Sequence, residues 1–292
     1  MAIEEIDELL KDAQAKDIFD QVSFADRSAA LRCLQRIVTA PKVMPAFSGA
    51  LRSVMQALST AADADRALVN FERFTHKVSN PVVMWEYLHS NPRVIEKLTT
   101  LFSGSQFLAD ILLRNPDYVE RWAQHKRLAR PKTATRFLEE AHSALYGLPS
   151  DVDEDLPLRQ HDALRRFQRA ELLRIGTCDL LGLFDLPTVV EQLSRLADCL
   201  ISTCLQFVSE KIGISTDGFV VIALGKLGGE ELNYSSDIDL IFIAEHNAMR
   251  FQRLSTRLIE VLGRVTEEGF LYRVDMRLRP WGRSGSLVTT LP

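Results

Sequence analysis

The sequence predicts an α+β protein, with a helical region over about the first 210 of its 292 residues and a small mixed sheet beginning near residue 218. Three observations carry that expectation. Apolar residues recur at spacings of three and four from residue 4 onward, as in Ile6, Leu9 and Leu10 and again in Leu193, Leu196 and Leu200, the period of helices that bury one face. The texture changes at Gly218, after which "GFVVIALG", "DIDLIFIAE" and "GFLYRVDMRLRP" are short β-branched or alternating runs punctuated by glycine and proline. With 46% apolar residues, the chain can bury a core in both parts.

Taken in order, residues 1–145 read as a helical amino-terminal region, in which Asn91-Pro92 and Asn115-Pro116 mark helix starts because asparagine caps and proline fits the first turn. "YGLPSDVDEDLP" (146–157) sets glycine and two prolines around four acids and reads as an acidic linker or loop. Residues 158–292 then read as a helical lead-in joined to the sheet unit. Leu164, Phe167, Leu172 and Ile175 form one helical stripe of the lead-in, and Arg165, Arg166, Arg169 and Arg174 are expected mostly elsewhere on its surface, solvated or paired rather than phosphate-binding. Strands are expected at 219–224, 237–244 and 271–278, with a helix over about 251–266 between the second and third.

Composition excludes several classes. A formal net charge of −4 argues against generic attraction to nucleic acid or anionic lipid. No apolar run reaches the ~18 residues needed to span a bilayer, and "MAIEEIDELLKDAQAKD" opens with acids rather than a basic signal-peptide start. Cys33, Cys178, Cys199 and Cys204 form no CxxC pair and have no zinc-like histidine spacing, so they read as buried thiols of a cytoplasmic protein. The histidines at 76, 89, 125, 142 and 161 are scattered through helical sequence with no HExxH or serine-nucleophile context.

The chemistry concentrates in "GKLGGEELNYSSDIDL" (225–240). On a strand, residues two apart share a face, so Asp237 and Asp239 project together while Ile238 and Leu240 pack behind. Adjacent carboxylates repel unless a cation or donors offset them, and such oxygen ligands suit magnesium with substrate phosphates. The preceding loop supplies the complement. Gly225, Gly228 and Gly229 allow close approach of a phosphate to backbone, and Lys226, Ser235 and Ser236 add donors. The pattern is neither a Walker A loop nor GxGxxG, and a hairpin whose serines and aspartates merely cap turns is the competing reading of either half alone. In "YRVDMRLRP", Asp275, Arg277 and Arg279 alternate with Val274, Met276 and Leu278, which would give a third carboxylate and two guanidinium groups on one strand face. Ordinary surface ion pairs are the alternative for the two arginines.

These residues resemble the nucleotidyltransferase superfamily with a DNA polymerase β-like core, whose pattern is an apolar residue, Gly, Gly or Ser, a short gap, and D-x-D flanked by apolar residues. Here Leu224-Gly225-Lys226 leads through ten residues to Asp237-Ile238-Asp239, departing from the pattern at Lys226. The longer strings "ALGKLGGEELNYSSDIDLIF" and "YRVDMRLRPWGRSGSLVTTL" resemble the glutamine synthetase adenylyltransferase/deadenylylase family, in which the local form is GKLGG. "LFSGSQFLADILLRNPDYVERW" and "LRRFQRAELLRI" extend the likeness over roughly 95–292. The resemblance implies a polymerase β-like core and an amino-terminal piece of a tandem of two such units, one adding AMP to a tyrosine of glutamine synthetase and one removing it. "ELNYSSDIDLIF" and "YRVDMRLRP" are closer to the removing half, since the other half often has glycine after "EL" and usually "YEVD". It further implies magnesium held by Asp237, Asp239 and Asp275, an ATP or ADP nucleotide whose phosphates meet Gly225, Lys226 and Gly228, and the PII signal protein as a regulatory partner.

Overall fold

The computed structural model describes residues 17, 19–38, 42–119, 128–147 and 156–290. Ile6, Leu9, Leu10 and His125 lie outside them, as do residues 148–155 of the expected linker. The fold is α+β, mostly helical with one small mixed sheet of four strands. The chain divides into two compact units, Met1–Ala129 with Gly176–Leu183, and Arg130–Ile175 with Phe184–Pro292.

The first unit contains helices α1 (Arg27–Ile37), α2 (Val43–Ser59), α3 (Ala64–Lys77), α4 (Pro81–Ser90), α5 (Pro92–Gly104) and α6 (Gln106–Arg114). Their starts follow from local chemistry. Asp26, Asp63, Asn80 and Ser105 each accept a hydrogen bond from a first-turn backbone N–H, which would otherwise lack a partner. The core is aromatic: Phe47 meets Trp85 edge-on with centroids 4.6 Å apart, and Phe71 meets Phe102 at 5.0 Å. Asn91 precedes α5 as expected, and Asn115, which ends α6, is followed by helical residues at Tyr118 and Val119, its carbonyl accepting the Tyr118 N–H.

The second unit contains α7 (Ala134–Tyr146), most of α8 (Leu156–Leu180), α9 (Leu186–Ile212), β1 (Phe219–Leu224), the single turn α10 (Gly225–Gly228), β2 (Ile238–Ala244), α11 (Ala248–Gly263), β3 (Val274–Asp275) and β4 (Val288–Thr290). β2 is central. β1 pairs with it antiparallel along one edge, and β3 and β4 pair with it in parallel along the other. Ile238, Leu240, Phe242 and Ala244 are buried on alternate positions of β2, so its apolar face packs toward α11 while Asp239 takes the opposite face.

Two expectations are corrected here. The third run is a strand only at Val274–Asp275, because the chain turns immediately afterwards: the Arg279 guanidinium donates to the Met276 carbonyl at 2.8 Å and to the Gly285 carbonyl at 3.4 Å, closing a loop. Asp275, Arg277 and Arg279 therefore do not share a strand face. Nor are all four lead-in arginines on the surface, since Arg165 is fully buried and Arg174 nearly so. Arg165 donates to the carbonyls of Gly269 (2.7 Å), His161 (2.9 Å), Val261 (3.2 Å) and Arg264 (2.6 Å). Burial holds its pKa below the usual arginine value, and the four backbone acceptors offset that cost. Arg174 pairs with Glu171 at 2.8 Å, and Glu171 also accepts from Lys132 at 2.7 Å.

All four cysteines are free and buried, and burial pushes the thiols of Cys199 and Cys204 up to about 12, which makes them unreactive. No helix among the described residues is long and apolar enough to cross a membrane.

Candidate active site

The sheet register builds the site. Pairing of Leu224 with Asp239 sets Gly225, the next residue, against the Asp239 carboxylate. A Cβ at Gly225 would stand 2.5 Å from Asp239 Oδ2, and φ there is +56°, so both space and backbone call for glycine. The segment Gly225–Gly228 is a helical turn rather than an open loop, and Glu231 N–H donates to the Lys226 carbonyl at 2.8 Å to close it. Leu232 is buried and its N–H donates to Ser194 Oγ of α9 at 3.1 Å, which fixes where the chain leaves the turn. Lys226 is exposed, and Gly229 follows as the cap of the turn.

The approach to β2 is an Asx turn. Asn233 Oδ1 accepts from Ser235 N at 3.2 Å and from Ser236 Oγ at 2.7 Å, so both serines are engaged locally in the turn ahead of Asp237. Asp237 itself is exposed just before the strand. Its Oδ1 accepts from Arg273 Nε at 2.5 Å, and the same guanidinium donates to the Ser235 carbonyl at 3.2 Å. Ile238 N–H donates to the Arg273 carbonyl at 2.9 Å, which carries the β2–β3 pairing up to the aspartate.

Asp239 and Asp275 are register partners on the parallel β2–β3 pair, so their side chains leave the sheet on the same face. Asp275 is largely covered, with its side chain 11% exposed, and accepts from Arg277 through three nitrogens: N at 2.8 Å, Nε at 2.7 Å and Nη2 at 2.5 Å. The Arg277 pKa is raised first by that hydrogen bonding, then by the charge of Asp275, and further by the charges of Asp239 and Asp237. Arg277 thus hydrogen-bonds to Asp275 and feels the charges of Asp239 and Asp237 at longer range. An open polar cleft is lined by Asp237, Val274, Asp275, Met276, Arg277 and Arg279.

Among the described residues, no group of three or more His, Cys, Asp or Glu side chains stands at metal-holding spacing. The immediate reason is visible in the pairing: Asp237 is turned onto Arg273 and Asp275 onto Arg277. The donor set nevertheless has the chemistry that suits a hard divalent cation, being carboxylate oxygens of which Asp239 and Asp275 are register partners on one face. Sequence reasoning brought Asp237, Asp239 and Asp275 to one end of the sheet and overlooked Arg273. Its position one residue before Val274, with Asp237 immediately before the β2 residue paired to Val274, was the available signal.

A family model described as glutamate-ammonia ligase adenylyltransferase matches residues 95–292, about two thirds of the chain, including every residue of this site. The chain belongs to that family. Its similar curated relatives are named bifunctional glutamine synthetase adenylyltransferase/adenylyl-removing enzyme. The one from Chromobacterium violaceum is 31% identical over 89% of this chain and 29% of its own length. Those from Thioalkalivibrio sulfidiphilus and Shewanella loihica are 29% and 36% identical, over 82% and 68% of this chain and 27% and 22% of theirs. The chain therefore spans less than a third of the relatives it matches.

Proposed function

We propose that this chain is a magnesium-dependent nucleotidyltransferase unit with a polymerase β-like core, acting on an AMP group carried by a tyrosine of glutamine synthetase, in the removing direction. The observation that carries this reading is the register that sets Asp239 beside Asp275 on one face of the sheet, with Asp237 just ahead of the same strand and a glycine turn pressed against Asp239. The relatives' names support the substrate, and both directions of transfer appear in them. The local strings "ELNYSS" and "YRVD" support removal. The cytoplasm and regulation by the PII signal protein belong to the same proposal.

Asp237, Asp239 and Asp275 would hold magnesium, which when bound neutralises phosphate oxygens and favours charge build-up at phosphorus. The protein's own groups do the rest. Gly225, Lys226, Gly228 and Gly229 line the phosphates, with the Ser235 and Ser236 turn beside them. Arg277, once released from Asp275, and Arg279 offer guanidinium charge to the same oxygens. In removal, an oxygen of inorganic phosphate bonds to the α-phosphorus of AMP-tyrosine and the bond to the tyrosine oxygen breaks. The products are ADP and the tyrosine hydroxyl, whose proton derives from the attacking phosphate. Positioning and charge stabilisation, rather than a covalent enzyme intermediate, supply the acceleration.

The test is incubation of adenylylated glutamine synthetase with the protein, magnesium and phosphate, reading the mass of the target and the appearance of ADP. Loss of one AMP mass per modified tyrosine with matching ADP is expected. Addition of AMP from ATP with no removal would assign the unit to the opposite direction, and neither reaction would leave a binding module of the same fold.

A further inference from the structure

A second cavity of about 300 Å³ lies within the same unit, where α9 and α11 end beside α8. Its walls are almost wholly apolar, formed by Phe207, Val208, Ile212 and Val261, and it is partly open to solvent. The His161 ring stands edge-on to Phe207 with centroids 5.5 Å apart, and Lys211 Nζ lies over the same phenyl ring at 5.5 Å. Three cationic side chains border this apolar chamber: Lys211, Arg257 and Arg264. Glu260 neutralises Arg257 at 2.6 Å, and Lys211 and Arg264 make no ion pair among the described residues. The Arg264 carbonyl, not its guanidinium, is what anchors Arg165. His161 Nδ1 is buried and has no hydrogen-bond partner among the described residues. Burial, and then the charges of Arg165 and Arg264, push its pKa down to about 4, so the ring is neutral and adds no charge to the chamber wall.

We propose that this cavity binds a small organic anion with an apolar body, a carboxylate carried on a ring or short hydrocarbon. The apolar walls reward burial of the body, and the charges of Lys211 and Arg264 at its border receive the head. A compact hydrophilic anion such as phosphate would forfeit its hydration against these walls without enough donors in return. The volume is at the small end for ligand pockets, which suits a compact ligand. The site stands apart from the aspartate cleft, and none of its lining residues is shared with that cleft. The segments that leave it, 213–218 after α9 and 264–273 after α11, run directly into β1 and β3.

The probe is 3-phenylpropionate, titrated calorimetrically into the 292-residue chain, with 3-phenylpropanamide and propionate as comparisons. Saturable 1:1 binding of phenylpropionate is expected, with the amide and propionate each about tenfold weaker or more, since each lacks one half of the recognition. The double variant Lys211→Met, Arg264→Met changes two side chains at the rim and should weaken phenylpropionate about tenfold without altering the urea midpoint. Val261→Phe should abolish binding by filling the chamber, and hydrogen exchange in the wild-type chain should slow at 207–218 and 257–272 on addition of the probe. Three results would overturn the proposal: no saturable binding to the wild-type chain, equal affinity in the double variant, or propionate binding as tightly as phenylpropionate.

Discussion

Replacing Gly225 by alanine separates backbone strain from damage to the site. Gly213, the cap of α9, provides the control, because it has the same left-handed backbone (φ +67° against +56°) and nothing within 4 Å of an added Cβ. Both variants incur the strain of a left-handed alanine, about 1–2 kcal/mol. Only at Gly225 does the methyl group meet Asp239 Oδ2 at 2.5 Å, roughly 1 Å inside ordinary contact. The colliding atom is the end of a side chain, so the fold yields by rotating the carboxylate, and little further stability is lost. Misplacing a reacting constellation by about 1 Å typically lowers turnover about 10²-fold. Gly225→Ala and Gly213→Ala should therefore lose similar stability in urea denaturation, whereas only Gly225→Ala should lose roughly 10²-fold in magnesium- and phosphate-dependent AMP removal. Equal turnover in the two variants would refute the placement of Asp239 in the site.

Other expectations follow from the same structure. Arg277→Met removes the guanidinium that occupies Asp275, so manganese, used as a paramagnetic stand-in, should bind severalfold tighter while turnover falls; weaker manganese binding would contradict a place for Asp275 in the metal site. Arg165→Met strips four backbone carbonyls of their donor but relieves a buried charge, for a net loss of about 2–4 kcal/mol in urea denaturation, and a loss under about 1 kcal/mol would refute its anchoring role. His161 has a folded pKa of about 4 against an unfolded value near 6.5, so the unfolded chain binds the proton more tightly. Its contribution is whole above about pH 6.5 and is lost as pH falls toward 4, by at most about 3 kcal/mol. His161→Gln should flatten that part of the stability–pH curve, and an unchanged slope would show that the ring is solvated.

The sequence made some of this legible because certain patterns have a single physical reading. β2 alternates strictly and had to bury Ile238, Leu240 and Phe242, which placed Asp239 on the other face. Gly225 was read as room for a phosphate, and its close approach to the Asp239 carboxylate and its left-handed backbone emerge only from the β1–β2 register. The third run misled because alternation in "VDMRLR" imitates a strand, while the actual hydrogen bonds of Arg279 go to the loop's own carbonyls and end the strand at Asp275. β4 was passed over because three residues give too short a period, although Val288, Thr289 and Thr290 are all β-branched or paired with β2 for that reason. Arg165 could not be distinguished from its surface neighbours, since burial of a guanidinium depends on carbonyls about 100 residues away at Val261, Arg264 and Gly269.

The most direct measurement of the central claim uses the full-length protein carrying Asp237→Asn and Asp239→Asn together, which keeps the shape of β2 and removes two charges. Phosphate-dependent release of ADP from adenylylated glutamine synthetase is followed beside incorporation of AMP from ATP into the unmodified enzyme. Loss of release with incorporation intact is the expected result, because the aspartates at the head of β2 would serve removal alone. Intact release would contradict the site, and loss of incorporation with release preserved would contradict the direction assigned to it.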